Sequence, residues 1–451
     1  MAGPDHRSLA WTVLDSVRTR DRLATAALRH ATERQNPPPE VVSAAHRLIM
    51  GTIRERGYLD SVLARLVERQ LPRKDKRLMD LLRLALYEML FMDSIPSYAT
   101  GSRYVELARR SKGARVAGFV NALLRKAANL DPTAELDARA NLPAPARLSL
   151  PEWLLDAAQT VFGESTEDEL AGLARAADIA LRTAGALPRS DLLEELKREG
   201  LSPQPMPEND RGLLLPPGES PYQTMAFARN RFRPQDRASQ FVTDLVIAAG
   251  RGDLLDGCSG NGTKAIACAE SPRFTSVTAA DISPHKLSEI SARTTLPLRT
   301  LTLDLTAPDL PPNSFDTVLL DAPCTGLGTL RRHPELKWRR KPADSYANGK
   351  LQGALLAGVA PLVKPGGLLI YAVCSFLNAE GPAVIDNFLA THPHFTLEPP
   401  AQHLTGTAKE LTGRLAAANN TLPMHKPGML LTLPSVMDGD LFFVALLRRA
   451  G

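Results

Sequence analysis

The chain has 451 residues, 44% of them hydrophobic, with 54 Lys and Arg against 49 Asp and Glu and four cysteines. That length holds two or three domains at about 100–200 residues each, the cysteine count argues against a disulfide scaffold, and the longest apolar runs fall short of the ~18 residues that span a bilayer. The opening MAGPDHRSLAWTVLDS lacks the apolar core of a signal peptide, so a cytoplasmic protein with no membrane partner is expected. Charge is unevenly spread: residues 1–130 hold 23 Lys and Arg against 13 Asp and Glu, and the remainder holds 31 against 36. A basic N-terminal part is the footprint of a nucleic-acid partner or of a plainly solvated surface.

Residues 1–130 read as helical throughout. Leu9, Val13, Val17, Leu23, Ala27 and Ala31 recur near helical spacing over 8–31. Pro37 to Pro39 break that pattern, and Pro39 can open the next helix, which runs on to Glu55. Tyr58 to Gln70, Asp75 to Phe91, Tyr98 to Arg110 and Ala114 to Ala128 complete an all-α bundle, of which the Leu-rich Asp75 to Phe91 stretch is the most amphipathic. Residues 131–160, with Pro132, Pro143, Pro145 and Pro151, read as a linker in which helices stop repeatedly. A small α+β domain follows up to about residue 235, punctuated by Pro203, Pro205, Pro207, Pro216, Pro217 and Pro221.

From residue 236 to 451 strands alternate with helices. DLLD (253–256), SVTAAD ending in Asp281, Leu298 to Leu303 followed by Asp304, DTVLLD ending in Asp321, and GGLLIYAVCS are successive strands. LFFVALLRR near the end is a last, antiparallel one. Alternation of this kind gives a doubly wound, largely parallel sheet. In such a sheet ligands bind outside the carboxyl ends of the strands, where Asp256, Asp281, Asp304 and Asp321 each terminate a strand. The loop Gly257-Cys258-Ser259-Gly260-Asn261-Gly262-Thr263-Lys264 has neither the glycine spacing of a dinucleotide fold nor a phosphate loop's Gly-Lys-Ser/Thr. With Asp281 placed to accept ribose hydroxyls, it suits S-adenosylmethionine, which has a ribose and no phosphate. Two thiols follow strand ends, Cys324 in DAPC and Cys374 in AVCS, and either can be a nucleophile over one pocket. Cys258 and Cys268 read as packing residues. Arg331, Arg332, His333, Lys337, Arg339, Arg340 and Lys341 follow the first thiol and suggest a polyanionic substrate. No metal is expected.

Two resemblances add to this reading. LLRLALYEMLFMDSIPSYATGSRYVELARR with AGFVNALLRK resembles the helical RNA-binding domain of the antitermination factor NusB. DAPCTGLGTLRRHPELKW and YAVCS resemble the two cysteine motifs of RNA cytosine-5 methyltransferases, and PQDRASQ and MDGDLFFVALLRR also fit. Together these are similar to the bacterial RsmB (Sun/Fmu) family, which acts on 16S ribosomal RNA. The resemblance implies three parts: a NusB-like bundle over 1–130, a Pro-rich linker and small α+β domain over 131–235, and a Rossmann-like class I methyltransferase over 236–451. It further implies Cys374 as the nucleophile on carbon 6 of cytosine and Cys324 as the thiol that helps release product. It implies that Cys258 through Lys264, Asp281, Asp304 and Asp321 contact S-adenosylmethionine, and Asp321 is also expected to hydrogen-bond the polar edge of the base. Small-subunit ribosomal RNA is the implied partner and a monomer the expected state.

The sequence departs from the family pattern in places. CSGNGTK stands where C-A-A-P-G-G-K is usual, Val373 replaces a Thr, and of P-E-E-N after the second thiol only Glu380 remains. The other reading is a non-catalytic RNA-binding or ribosome assembly factor with a decayed methyltransferase domain, which the altered loop supports. A DNA cytosine-5 enzyme would instead attack from Cys324, and an amine-methylating enzyme would carry an aromatic residue in that loop.

Overall fold

The computed structural model describes residues 5–67, 72, 74–92, 97–216, 218–424 and 426–451. Their packing divides the chain into one unit of Met1–Leu155 with His333–Arg339 and another of Asp156–Arg332 with Arg340–Gly451. The expected helix end at Gln70 and the expected turn residue Pro217 lie outside the described residues.

In the first unit the helices of residues 5–127 run in order: α1 His6–Thr19, α2 Ala24–Gln35, α3 Pro39–Arg54, α4 Arg56–Leu66, α5 Lys76–Phe91, α6 Ser97–Lys112 and α7 Ala114–Ala127. The helical periodicity over 8–31 is broken into α1 and α2 by a turn in which Asp21 takes a positive φ of 51°. Asp5 and Asp75 cap α1 and α5 by accepting from the amides of Ser8 and Leu78, and Pro39 opens α3. Helix α5 is the core helix. It buries Leu78, Met79, Leu81, Leu82, Leu84, Ala85, Leu86 and Leu90, at about 1.5–3 kcal/mol for each fully buried large side chain. The same helix buries Asp80, Arg83 and Glu88, and burial of charge is tolerated only where it is paired and hydrogen-bonded. Arg83 meets that condition with a two-pronged hydrogen bond to Asp60 at 2.7 and 2.9 Å and a third to Asp80 at 3.0 Å.

The region expected to be a linker is instead helical at Pro132–Arg139, Ala144–Arg147 and Glu152–Phe162. Its prolines start helices rather than stop them. Pro132 occupies the first turn behind the Asp131 cap, and Pro145 lies in the first turn of its own short helix, positions where a missing N–H costs nothing.

The second unit holds two sheets. The smaller has strands β1 Ile179–Thr183, β2 Gln204–Pro205, β3 Gly212–Leu215 and β4 Phe232–Pro234. They run antiparallel in the order β2-β3-β1-β4 and close over Leu192 and Leu196 of the helix Arg189–Arg198. The larger contains β5 Gly252–Gly257, β6 Phe274–Asp281, β7 Leu298–Thr302, β8 Phe315–Asp321, β9 Val363–Val373, β10 Phe395–Glu398, β11 Met429–Leu431 and β12 Phe443–Arg449. Its order is β10-β12-β9-β8-β5-β6-β7, with β11 paired to β12. Strands β5 to β9 pair parallel to one another, and β12 pairs antiparallel to β9 as expected. The chain winds outward from β5 through β6 to β7, then returns to β8 on the other side of β5. That reversal opens the crevice in which ligands of such sheets lie.

Candidate active site

Strand register fixes where the carboxylates stand. Gly257 of β5 pairs with Ala280 of β6 and Leu320 of β8, so Asp281 and Asp321 stand one residue higher, on either side of Cys258. Asp256 lies one residue below Gly257 and is fully buried. Asp304 departs from the expected row. Strand β7 ends at Thr302, and Asp304 sits beyond it in an exposed turn, accepting from the amide and hydroxyl of Thr306. It takes no part in the buried group formed by its three counterparts.

That group is strongly coupled. Lys264, the second residue of the helix Thr263–Ala269, donates to Asp321 at 2.6 Å and lies 5.4 Å from the centre of the Phe442 ring. Burial pushes its ammonium down, but Asp321 and Asp256 hold it above its ordinary value. Asp256 accepts from the Ser259 hydroxyl at 2.9 Å through one oxygen, while its other oxygen is buried without a hydrogen-bond partner. Burial, with Asp321 adding to it, pushes the Asp256 carboxyl up to about 7. Asp281 accepts from the amides of Gly260 at 3.0 Å and Ser283 at 2.8 Å.

The loop between β5 and that helix is shaped by backbone conformations that glycine favours. Gly260 and Gly262 take φ of 59° and 75°, and a Cβ on Gly262 would fall 2.6 Å from Ile290. Open space faces Gly260. Cys258 also has a positive φ, and burial with the surrounding carboxylates pushes its thiol up to about 12. It is therefore no nucleophile. A buried carboxylate oxygen without a partner, an acidic strand end and an open glycine loop together fit the expected S-adenosylmethionine, whose ammonium and ribose hydroxyls are donors.

One residue past β9 and three past β8, the thiols meet: the sulfurs of Cys324 and Cys374 are 3.4 Å apart. The loop carrying Cys324 is held from several sides. Gln352 donates to the Pro323 carbonyl at 2.8 Å, and Arg340 donates to the Thr325 carbonyl at 2.9 Å. Gly328 donates to the Cys374 carbonyl at 2.9 Å and accepts from Leu441 at 2.9 Å. A Cβ on Gly328 would lie 2.0 Å from the Leu441 oxygen, so only glycine lets these three segments close.

Sequence reasoning missed the residue that ties both thiol loops together. Glu380 is fully buried and accepts from the Thr325 amide at 2.7 Å, the Thr325 hydroxyl at 2.5 Å, the Ser375 hydroxyl at 2.5 Å and Asn348 at 2.9 Å. Its sequence signals are its place five positions after a Cys-Ser pair and its survival from the P-E-E-N of the resemblance, neither of which shows what it binds. The basic run after Cys324 also differs from expectation, because most of it is engaged within the protein. Arg331 and Arg332 pair with Asp438 and Asp440. In the helical unit, Lys337, Trp338 and Arg339 donate to the carbonyls of Arg54, Ile53 and Arg22.

Charge around the thiols is asymmetric. The Cys374 sulfur and burial hold the Cys324 thiol well above its ordinary value, so this sulfur keeps its proton. Burial pushes Lys264 and Arg332 down, but Asp321 and Asp256 hold Lys264 up and Asp440 and Asp236 hold Arg332 up, with negative charge on Cys374 a smaller contribution to both.

Known proteins resemble both units of this chain. Residues 247–448 match the family described as 16S rRNA methyltransferase RsmB/F, and residues 4–129 match the NusB family. Ribosomal RNA small subunit methyltransferase B of Thermus thermophilus is 34% identical over 87% of this chain and 89% of its own length. The protein of that name from Pseudomonas syringae is 31% identical over 76% and 78%. Among solved structures, PH0851 superposes over the whole of both chains with a TM-score of 0.75 at 21% identity. NSun6 from Pyrococcus horikoshii with SFG covers 67% of this chain and 98% of its own, with a TM-score of 0.55 at 17% identity. At those identities the two structures speak to the fold alone.

Proposed function

The chain belongs to the RsmB/F family of 16S rRNA methyltransferases, and we propose that it methylates carbon 5 of a cytosine in that RNA through a covalent adduct on Cys374. The observation that carries the reading is the pair of sulfurs 3.4 Å apart beyond the ends of the neighbouring strands β8 and β9. Carbon 5 of cytosine is too weak a nucleophile to take a methyl group unaided. Addition of a thiolate to carbon 6 makes carbon 5 an enamine-like centre, splitting one hard step into two easier ones.

S-adenosylmethionine, the family's cofactor, supplies an electrophilic methyl group when bound. Every other act falls to this chain. Cys258 to Lys264 and Asp281 hold the cofactor, with the unpaired oxygen of Asp256 and the carboxylate of Asp321 on the same side of the sheet. Lys264 and Arg332 stabilise the Cys374 thiolate before attack. Cys374 then bonds to carbon 6, and Asp321 hydrogen-bonds the polar edge of the base. After carbon 5 is methylated, a base removes its remaining proton, the carbon–sulfur bond breaks, and the electron pair returns to Cys374 as thiolate. The Cys324 thiol beside that sulfur assists this departure. Carbon 6 is reachable only in an unstacked base, so the target lies in a loop or a single strand, or is flipped out. The NusB-like helical unit, whose residues account for the chain's positive balance, serves as the RNA-binding part.

The test is nucleoside analysis of 16S RNA methylated by purified enzyme. 5-Methylcytidine is expected from the wild type and none from Cys374→Ala. Methyl groups on another base or position, or full methylation by Cys374→Ala, would overturn the proposal.

A further inference from the structure

Away from the thiols, the second unit has an open cleft of about 660 Å³ that the reaction above does not use. One wall comes from the small antiparallel sheet and its loops, with Gly185, Asn230 and Arg233. The other comes from the segment Ser291–Leu296 that ends the helix Pro284–Arg293, and Glu270 completes the lining.

Charge in this cleft is not balanced. Arg233 pairs with Glu270 at 2.7 Å, and Arg211 shares the same carboxylate at 3.6 Å. Arg293 spends its Nη1 on neutral groups, the Asn261 carbonyl at 2.7 Å and the Thr263 hydroxyl at 3.5 Å. Exposed Glu289 adds only a screened attraction. Burial and the neighbouring Arg233 pull Arg293 below its ordinary value, and burial with Arg182 and Arg233 does the same to Arg211. Arg182 is paired with Asp244 at 2.6 Å, which also attracts Arg211, so within the lining itself two guanidiniums, Arg233 and Arg293, face one acid, Glu270. Neutral hydrogen-bonding groups, on Asn230, Ser291, Thr294 and Thr295, complete the wall.

An excess of guanidinium with hydroxyl and amide partners suits an anion, and Arg's planar fork matches phosphate oxygens. The cleft is walled on two sides and open to solvent, a shape that suits a phosphate carried on a chain. We propose that this cleft binds a backbone phosphodiester of the RNA substrate, as a positioning contact remote from the base that reacts. The proposal rests on RNA being the substrate and not on which atom of the base is methylated.

Asn230 offers a clean handle. It lines the cleft, is exposed, makes no ion pair and has a φ of 53°, which Asp also tolerates. Arg293 is a poorer choice, because its loss would also free the Asn261 carbonyl in the cofactor loop. With the full-length protein and a 16S RNA fragment, binding is measured over a range of salt concentrations. Asn230→Asp should weaken binding several-fold and make the slope of log affinity against log salt shallower by about 0.7, the contribution of about one phosphate contact. Ala292→Lys, at an exposed helical position of the same lining, should tighten binding and steepen the slope by a similar amount. Cofactor affinity and the rate at saturating RNA should not change in either variant. Wild-type affinity and slope in both variants would overturn the proposal. A wild-type protein that binds the RNA and leaves it unmethylated would instead count against the reaction, whatever the two variants do.

Discussion

Buried carboxylates in the helical unit and at the crest of the large sheet live by different rules. Glu88, in the core of the bundle, takes hydrogen bonds from Arg7 at 2.9 and 2.5 Å and from Tyr104 at 2.6 Å, with His6 3.6 Å away. Burial pushes its carboxyl up, but His6, Arg7 and Tyr104 overcome this and hold it down at about 2. Asp256, at the crest, has one hydroxyl partner and an idle oxygen, and burial leaves it at about 7. A buried acid that is fully satisfied acts as a structural strut. One left short of donors is held in readiness for a ligand, at some cost to the fold. Glu380 shows that the crest also contains struts, since its donors come from both thiol loops.

The sharpest way to break this contrast is to remove each acid. Glu88→Ala leaves Arg7 buried without its partner, and should cost about 3–5 kcal/mol of stability, read by denaturant unfolding, while cofactor affinity measured by calorimetry stays unchanged. Glu380→Ala should lower the methylation rate by about 100-fold, because it releases both thiol loops and misplacement of about 1 Å is enough for such a loss. Its affinity for cofactor should remain within about twofold of wild type. Asp256→Asn should do the opposite of Glu88→Ala. Stability should not fall, because the amide carries no charge to desolvate, and cofactor affinity should fall about tenfold, equivalent to about 1.4 kcal/mol. A large stability loss in Asp256→Asn would erase the distinction.

Acidity separates the two acids in sign as well as size. The Glu88 contribution is present above its ordinary value of 4.5 and is lost as pH falls towards about 2. Asp256 and Asp440 have ordinary values of 3.8 and folded values of about 7, Asp440 through burial and its neighbour Asp236. Between those values the unfolded chain has released protons that the folded chain keeps, so stability falls as pH rises and levels off above about 7. Unfolding followed across this range should therefore show a shallower decline in Asp256→Asn than in wild type. Glu88→Gln should flatten only the acid side.

What the sequence showed and hid follows the same division. Strands β5, β6, β8 and β9 are apolar runs that end in a carboxylate or lead into a thiol, so both the sheet and the positions of Asp256, Asp281, Asp321, Cys324 and Cys374 could be read locally. Asp304 was misplaced because β7 is short and half-exposed, and its turn continues past the strand. Glu380 was undervalued because Thr325, Asn348 and Ser375 come from separate segments, and no local pattern brings them together. The prolines of 131–151 misled because a proline that stops one helix is equally suited to begin the next. The basic run after Cys324 suggested a substrate, but Arg332, Lys337 and Arg339 are taken up by Asp440 and by backbone carbonyls. The helix Gly406–Asn419 and the edge strands β10 and β11 carry too little apolar periodicity to stand out.

The most direct measurement uses a 16S RNA fragment in which the target cytosine carries fluorine at carbon 5, so that no proton can be removed there and the adduct persists. After incubation with S-adenosylmethionine and protease digestion, mass spectrometry identifies the modified peptide. The account predicts the nucleotide on Cys374, in wild type and in Cys324→Ala alike. A nucleotide on Cys324, or none on either thiol while unsubstituted RNA is still methylated, would contradict it.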